Sequence, residues 1–272
     1  MLRKSLDTSA IGIMVLLCAC WGMQQVAIKV AAPALHPVTQ IGLRSLIAAL
    51  LLLALMAWRR EGFSLRDGRL RPGLLAGALF AGEFLLASLG LLYTTASHMV
   101  VFLYTAPIFT ALLLHWRVPG ERLGGRQWAG VALAFAGIGV VFSRGLFGGE
   151  ATVGMLLGDS LGICAGILWA FTTLVIRSSS LSEAPASQTL LYQLGVAAVL
   201  MLVAGPLLQG GRPSAPMDEM AWASLLFQSL VVAFASFLAW FWLLRRYLAS
   251  RLSAFSFLTP LFGVSFGVLF LH

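Results

Sequence analysis

The chain is a succession of long apolar segments joined by short polar ones, and this pattern constrains its fold more than any other feature. A window of about 19 residues finds nine segments that could each form a membrane-spanning helix. They run approximately over residues 9–31, 38–58, 71–93, 97–115, 125–143, 155–177, 187–206, 221–244 and 252–271. Each is close to the roughly 20 residues that a helix needs to cross about 30 Å of hydrocarbon. Since lipid offers no hydrogen bonds to the backbone, the sequence predicts an all-α polytopic membrane protein.

The composition excludes a soluble protein and a disordered one. Apolar residues make up 60% of the 272 residues and charged residues only 10%, against about 45–50% and about 25% in ordinary globular domains. The formal net charge is +8, but the basic residues fall in short runs between the apolar segments, as orientation in a bilayer requires. We therefore expect membrane lipid around the protein and no binding of nucleic acid.

The distribution of lysine and arginine predicts the orientation. With the N-terminus in the cytoplasm, 14 of these residues fall at the cytoplasmic side and only Lys29, Arg144 and Arg212 at the outer side, while Arg44 lies within the second segment. Such an excess is typical of cytoplasmic loops. The first apolar run is longer than the core of a signal peptide. We therefore expect a retained first span, a cytoplasmic N-terminus and a location in a bacterial inner membrane.

The second half of the chain repeats the first. A shift of 148 residues aligns the sixth segment with the first, and a shift of 153 aligns later segments. The aligned pairs include Trp21 with Trp169, Pro37 with Pro185, Gln40 with Gln188, Phe84 with Phe237, Ala96-Ser97 with Ala249-Ser250, and Pro107 with Pro260. Because a five-helix repeat is odd, the second copy should enter the membrane upside down. Residues 9–143 and 155–271 are thus predicted to be two inverted repeats, an arrangement typical of transporters with a site at the midplane.

Five short motifs follow one another in a fixed order. They are Trp21-Gly22 with Lys29, Ala96-Ser97 with Ala106-Pro107, Gly120-Glu121-Arg122 with Gln127-Trp128-Ala129-Gly130, Gly158-Asp159-Ser160-Leu161, and Thr259-Pro260-Leu261-Phe262-Gly263. In these motifs the chain resembles the EamA-type transporters of the drug/metabolite transporter superfamily, over residues 9–272. The resemblance implies ten helices and export of small metabolites, often amino acids, across a bacterial inner membrane.

The sequence departs from that family pattern at its end. By the 153-residue shift, it stops just before the counterpart of the fifth segment. We interpret the missing tenth helix as a truncation; the alternative is a protein of nine spans. The fifth helix looks peripheral in this family, so we expect the cavity between the halves to survive the loss.

Glu83 is the most informative single residue, because it places a carboxylate near the centre of the third segment. A charge there costs roughly 2.5–3.5 kcal/mol on insertion scales, so it should face a cavity or a partner. One interpretation is that it binds a substrate amine or carries a coupling proton. The other is an ion pair with Arg44, and the two are compatible. A lipid-facing or loop position is the third possibility.

Further candidate substrate-binding residues are uncharged polar and aromatic side chains inside the segments. They are Trp21, Gln24, Gln25, Tyr104, Trp169, Tyr192, Gln193 and Trp240. Amides can hydrogen-bond a zwitterionic solute, and aromatic rings offer amphipathic walls. Helix packing and interhelical hydrogen bonds are the alternative for all of them, and anchoring at the membrane interface is the alternative for Trp21 and Trp169.

The backbone also carries signals for bending and packing. Pro107 and Pro260 occupy matching repeat positions within helices, where proline removes a hydrogen bond. We interpret them as hinges for rocking, with static kinks as the alternative. Glycines at every fourth position from 154 to 166, and at 73 and 77, predict close helix contacts.

No phosphate-binding loop, metal-ligand cluster or nucleophile triad is recognisable, and the three cysteines lie inside apolar segments. We therefore predict a carrier rather than an enzyme, with no cofactor or metal and with a small-molecule substrate. It would export metabolites, amino acids or related compounds, by alternating access through a midplane cavity, as a uniporter or with proton coupling. The alternatives are a transporter of drugs or nucleotide-sugars and a non-transporting scaffold or receptor.

Overall fold

The computed structural model describes residues 7–62, 67–118, 120–147, 152–210 and 215–271. Its helices are α1 (Thr8–Ala31), α2 (Pro37–Trp58), α3 (Leu70–Gly90), α4 (Ala96–Leu103), α5 (Ala106–Arg117), α6 (Gly125–Phe147), α7 (Val153–Ser178), α8 (Ala186–Gln209), α9 (Glu219–Leu226), α10 (Phe237–Arg246), α11 (Ala249–Phe255) and α12 (Leu258–Leu271). A 3-10 turn covers Ser180–Glu183, and a π-helix covers Phe227–Ser236 between α9 and α10.

The predicted all-α polytopic membrane fold is confirmed. Eight helical segments within the described ranges are long and apolar enough to cross a membrane. They are α1, α2, α3, α7 and α8, together with the three composite spans α4–α5, α9–α10 and α11–α12. The predicted fifth span falls on α6. Arg212 lies outside the described residues, as does the side chain of Arg144.

Local chemistry sets the helix ends. Asp7 accepts a hydrogen bond from the Ala10 amide at 2.8 Å at the start of α1, and Asp218 accepts one from the Ala221 amide at 2.7 Å at the start of α9. Each carboxylate satisfies a donor that the first helical turn leaves free. Gly210, with a φ of 62°, ends α8 in the left-handed conformation that glycine adopts without strain.

The sequence predicts Pro107 and Pro260 inside continuous helices. The structure instead has a break in each of these two spans. Helix α4 ends at Leu103 and α5 begins at Ala106, so Pro107 lies in the first turn of α5. Pro260 likewise lies in the first turn of α12, after the break that follows α11. Proline is tolerated in the first turn of a helix because the N–H groups of that turn have no acceptor within the helix. The N–H that proline lacks therefore costs no helical hydrogen bond. The matching breaks agree with the repeat, while the hinge role stays a prediction.

Helices of the two halves run in opposite directions. The start of α1 and the end of α10 meet where the Tyr247 hydroxyl donates to Asp7 at 2.7 Å. The end of α7 reaches the same place, because Arg177 donates to the Leu244 and Tyr247 carbonyls. Thus α1 begins, and its counterpart α7 ends, on one side of the bundle. We call this side the basic end, because Arg59, Arg69, Arg117, Arg177, Arg245 and Arg246 lie there.

The contacts between the halves follow the same symmetry. Helix α1 packs on α12, and its counterpart α7 packs on α4 and α5 in the same way. The counterparts α2 and α8 pack on each other. Large apolar side chains such as Leu50, Leu53 and Leu133 point outward and are exposed, as a surface in contact with lipid requires. The two halves therefore enclose an interior between α1, α3, α7 and α8.

Glycines bring α3 and α7 into backbone contact. A Cβ atom added at Gly158 would lie 2.8 Å from the Gly90 carbonyl oxygen and 2.9 Å from the Thr94 amide nitrogen. Those neighbours are main-chain atoms, so they cannot turn aside as a flexible side chain would. The close approach predicted for the glycines of this helix is therefore present at Gly158.

Gly158→Ala is expected to destabilise the protein by about 1–3 kcal/mol, because the extra methyl group forces the two helices apart. Thermal unfolding in detergent micelles would measure the loss. Gly195→Ala on α8 is the matched control, since a Cβ there meets no atom within 4 Å and alanine favours a helix. Equal unfolding temperatures for the two variants would contradict the packing argument.

Candidate functional site

A cavity of about 50 Å³ lies between the two halves. Its lining comes from α1, α3, α4, α7, α8, α10 and the break between α4 and α5. The lining residues are Trp21, Gln24, Phe80, Glu83, Phe84, Leu103, Tyr104, Trp169, Thr172, Thr173, Ile176, Gln193, Phe237, Trp240 and Phe241. Both repeats therefore contribute to one space inside the bundle.

Three tryptophans form one wall of the cavity. Ring centroids are 6.1 Å apart for Trp21 and Trp169, 5.5 Å for Trp21 and Trp240, and 6.4 Å for Trp169 and Trp240, all edge to face. Tyr104 adds a fourth ring, 5.2 Å from Trp169. Edge-to-face contacts are the favoured geometry for aromatic pairs. The repeat-related Trp21 and Trp169 thus meet in the lining of the cavity.

A π-helix fixes the position of Trp21. The indole N–H donates to Ser236 Oγ at 3.0 Å, and that hydroxyl donates in turn to the Val232 carbonyl at 2.6 Å. Ser236 is the last residue of the π-helix Phe227–Ser236. A π-helical turn is wider than an α-helical one. It therefore changes the direction in which the side chains after it point, among them Phe237 and Trp240. Local π-helical turns are frequent at functional sites.

Two glutamines with unsatisfied amide oxygens belong to the cavity lining. Gln24 and Gln193 both line it, and the Oε1 atom of each is buried and accepts no hydrogen bond from the described residues. A buried polar atom without a partner costs free energy until a ligand or water satisfies it. Thr172 and Thr173 contribute little polarity, because their hydroxyls donate to the Leu168 and Trp169 carbonyls within α7.

Glu83 lies in the cavity wall and is 5% exposed. Its predicted ion pair with Arg44 does not form as a direct contact in this structure, although the two charges attract each other through the interior. The Arg44 guanidinium instead lies over the Phe84 ring, 4.4 Å from its centroid. The lipid-facing or loop position for Glu83 is wrong, since the side chain points into the bundle.

Two of the nine predicted binding residues do not line the cavity. Gln25 is 1% exposed but lies outside the lining, because consecutive residues on a helix point about 100° apart and Gln24 takes the cavity side. The Tyr192 ring packs on α3, where a Cβ added at Gly73 would lie 2.6 Å from ring atoms. Tyr192 is therefore a helix-packing residue in this structure.

The prediction missed the phenylalanines of the opposite wall. Phe80, Phe84 and Phe237 form a cluster with centroid distances of 4.8–6.1 Å. One signal could have found two of them, because the 153-residue shift pairs Phe84 with Phe237. Phenylalanine is so common in membrane spans that this pairing carried less weight than the tryptophan pair.

A second, smaller pocket of about 10 Å³ lies beyond the cavity toward the basic end. It shares Ile176 and Phe241 with the cavity lining and also reaches Arg177, Ser182 and Arg245. Ile176 and Phe241 therefore lie between the two pockets. The wider groove with Arg59 and Arg246 in its wall opens to the surroundings and carries none of the predicted binding residues.

Polar networks close the basic end beside this second pocket. Glu121 accepts from Arg177 Nη2 at 2.8 Å, from the Ala249 and Ser250 amides at 3.1 Å each, and from Ser250 Oγ at 2.7 Å. On the other side, Gln188 donates to Asp67 at 3.0 Å. That hydrogen bond, together with Arg69, lowers the pKa of Asp67. These contacts join the loops of both halves.

Comparison with known proteins agrees with this architecture. The model of the EamA-like transporter family matches residues 8–143 and residues 156–272. A solved crystal structure resembles the chain with a TM-score of 0.75 and 18% identity, over 97% of this chain and 90% of that one. That likeness shows the fold alone.

Curated relatives cover most of the chain as well. The uncharacterized transporter YoaV of Bacillus subtilis is 25% identical over 93% of this chain and 85% of its own length. An uncharacterized transporter of Archaeoglobus fulgidus is 28% identical over 90% and 83%. A protein of Escherichia coli K12 named "Probable amino-acid metabolite efflux pump" is 27% identical over 92% and 83%. On the family match, which takes in nearly the whole chain, this multi-pass membrane protein belongs to the EamA-like transporter family.

Proposed function

We propose that the chain exports small amphipathic metabolites, amino acids or related compounds, across a bacterial inner membrane by alternating access. The observation that carries this proposal is the cavity between the halves. Seven residues chosen from the sequence as substrate-binding candidates line it, namely Trp21, Gln24, Glu83, Tyr104, Trp169, Gln193 and Trp240. Aromatic walls beside free amide oxygens and a carboxylate suit a solute with an apolar part and a polar part.

The proposed transport cycle follows from the inverted halves. Residues 9–143 and 155–271 would act as the two rocking units, with the cavity at their interface. We assign the basic end to the cytoplasm, because lysine and arginine favour that side. Pro107 and Pro260, next to the helix breaks, are the proposed hinges.

Amino acids are the proposed substrate class for two reasons. A zwitterion needs both hydrogen-bond acceptors and a compensating charge in a buried site, and the cavity offers Gln24, Gln193 and Glu83. The Escherichia coli relative is named as an amino-acid metabolite efflux pump. Counterflow in proteoliposomes with a panel of labelled amino acids tests the proposal. Accumulation of amino acids above the level in protein-free liposomes supports the proposal. If only drugs or nucleotide-sugars accumulate, they replace amino acids as the substrate class.

Trp169→Ala is expected to slow counterflow by about tenfold or more, because the substitution removes part of the aromatic wall and three ring contacts at once. Trp116→Ala is the matched control, since this side chain is 68% exposed and far from the lining. Its counterflow should equal that of the parent protein. If both variants transport alike at equal protein levels, the tryptophan wall does not contact the substrate.

A further inference from the structure

Arg44 is a buried cation that the transport proposal leaves unused. Its side chain is 0% exposed, and the Nε, Nη1 and Nη2 atoms find no hydrogen-bond acceptor among the residues that the structure describes. An arginine at this depth in a membrane costs roughly 2.5–3.5 kcal/mol on insertion scales, and leaving its donors unpaired adds to that. A guanidinium in this state is poised to bind an anion.

Two aromatic rings separate Arg44 from the cavity. Its guanidinium carbon lies 4.4 Å from the centroid of Phe84 and 5.9 Å from that of Phe237. Both phenylalanines also line the cavity. Cation–π contacts of this kind offset part of the desolvation cost, but they satisfy none of the N–H donors. The two rings therefore lie between the guanidinium and the cavity.

Glu83 complements Arg44 in position and in charge. Arg44 is the eighth residue of α2, and Glu83 is the eighth from the end of α3. Because α2 begins and α3 ends on the side opposite the basic end, the two lie at similar depth. They attract each other without direct contact. A buried cation and a buried anion at similar depth, without a direct ion pair, form a site that fits a molecule carrying both charges.

We propose that Arg44 binds the carboxylate of the transported molecule, with Glu83 beside its ammonium group, so that the carrier selects zwitterions. The proposal rests on the transport function proposed above and adds its specificity-determining residue. The planar guanidinium can donate two parallel hydrogen bonds to a carboxylate. Phe84 and Phe237 would give way to the carboxylate as the halves rock, and the apolar part of the solute would stay against the tryptophans.

The first test needs no variant. Counterflow is measured in proteoliposomes for each transported amino acid and for its carboxamide, which keeps the ammonium and the side chain but has no carboxylate. We expect the acid to be transported about tenfold faster or more, because an analogue that lacks the bound group leaves buried donors unpaired. Equal rates for acids and amides in the parent protein would overturn the role of Arg44 and leave the transport function standing.

The second test uses substitutions of Arg44. Arg44→Gln should bring the acid-to-amide ratio close to one, and Arg44→Lys should keep part of the preference because the charge remains. Arg71→Gln, an exposed arginine at the start of α3, should keep the parental ratio. A parental ratio in Arg44→Gln contradicts the proposal. No transport of any compound by the parent protein would instead overturn the transport function, and the inference with it.

Discussion

Glu121→Ala is expected to destabilise the protein by about 3–5 kcal/mol, because it leaves a buried arginine without its counter-ion. The Arg177 and Glu121 side chains are 1% and 3% exposed, with 2.8 Å between Nη2 and Oε1. The same carboxylate also caps the first amides of α11. One substitution therefore removes the ion pair and the cap that join α7, α11 and the loop before α6. Chemical unfolding in detergent micelles would measure the change.

A second substitution distinguishes two causes of the stability loss in Glu121→Ala: removal of the counter-ion of Arg177, and loss of packing. Adding Arg177→Met to Glu121→Ala should recover part of the stability, because the buried cation is then gone. Arg59→Ala is the control for an ordinary ion pair, since Arg59 and Glu61 are 3.8 Å apart and 52% and 26% exposed; it should change stability by about 1 kcal/mol or less. A loss below about 1 kcal/mol in Glu121→Ala would show that the basic end does not depend on this network.

The membrane spans could be predicted because their signal is local. Hydropathy over about 19 residues placed the first span at 9–31 and the second at 38–58, against Thr8–Ala31 and Pro37–Trp58 in the structure. The breaks at residues 104–105 and 256–257 were not predicted. Their backbone geometry is set by neighbouring helices, and an apolar sequence with one proline fits a kinked helix and a broken one equally well.

The cavity could be predicted only in part, for geometric reasons. Trp21 and Trp169 were identified because the repeat relates them, and symmetry places related residues at the interface of the halves. Gln25 does not line the cavity although Gln24 does, which could not be predicted because the sequence does not fix the rotation of α1 to within one residue. The partner of Arg177 could not be found from the sequence, since Glu121 lies 56 residues away in a loop.

Glu83→Gln is expected to remove the response of transport to a pH gradient, reducing gradient-driven export by about tenfold or more. The substitution keeps the shape and the hydrogen-bonding capacity of the side chain, but an amide cannot take up or release a proton at physiological pH. The Glu83 carboxylate lines the cavity between the halves, where a proton could exchange with either side in turn. Efflux from proteoliposomes with and without a pH gradient measures the effect.

Glu219→Gln is the matched control, because Glu219 is exposed at the start of α9 and should leave the gradient response intact. Export down the substrate's own gradient should persist in Glu83→Gln if the carboxylate serves coupling alone, and should fall as well if it also binds the substrate ammonium. An unchanged gradient response in Glu83→Gln would exclude Glu83 as the coupling group. Lack of any gradient response in the parent protein would make it a uniporter, for which the rocking of two inverted halves around a shared cavity is sufficient.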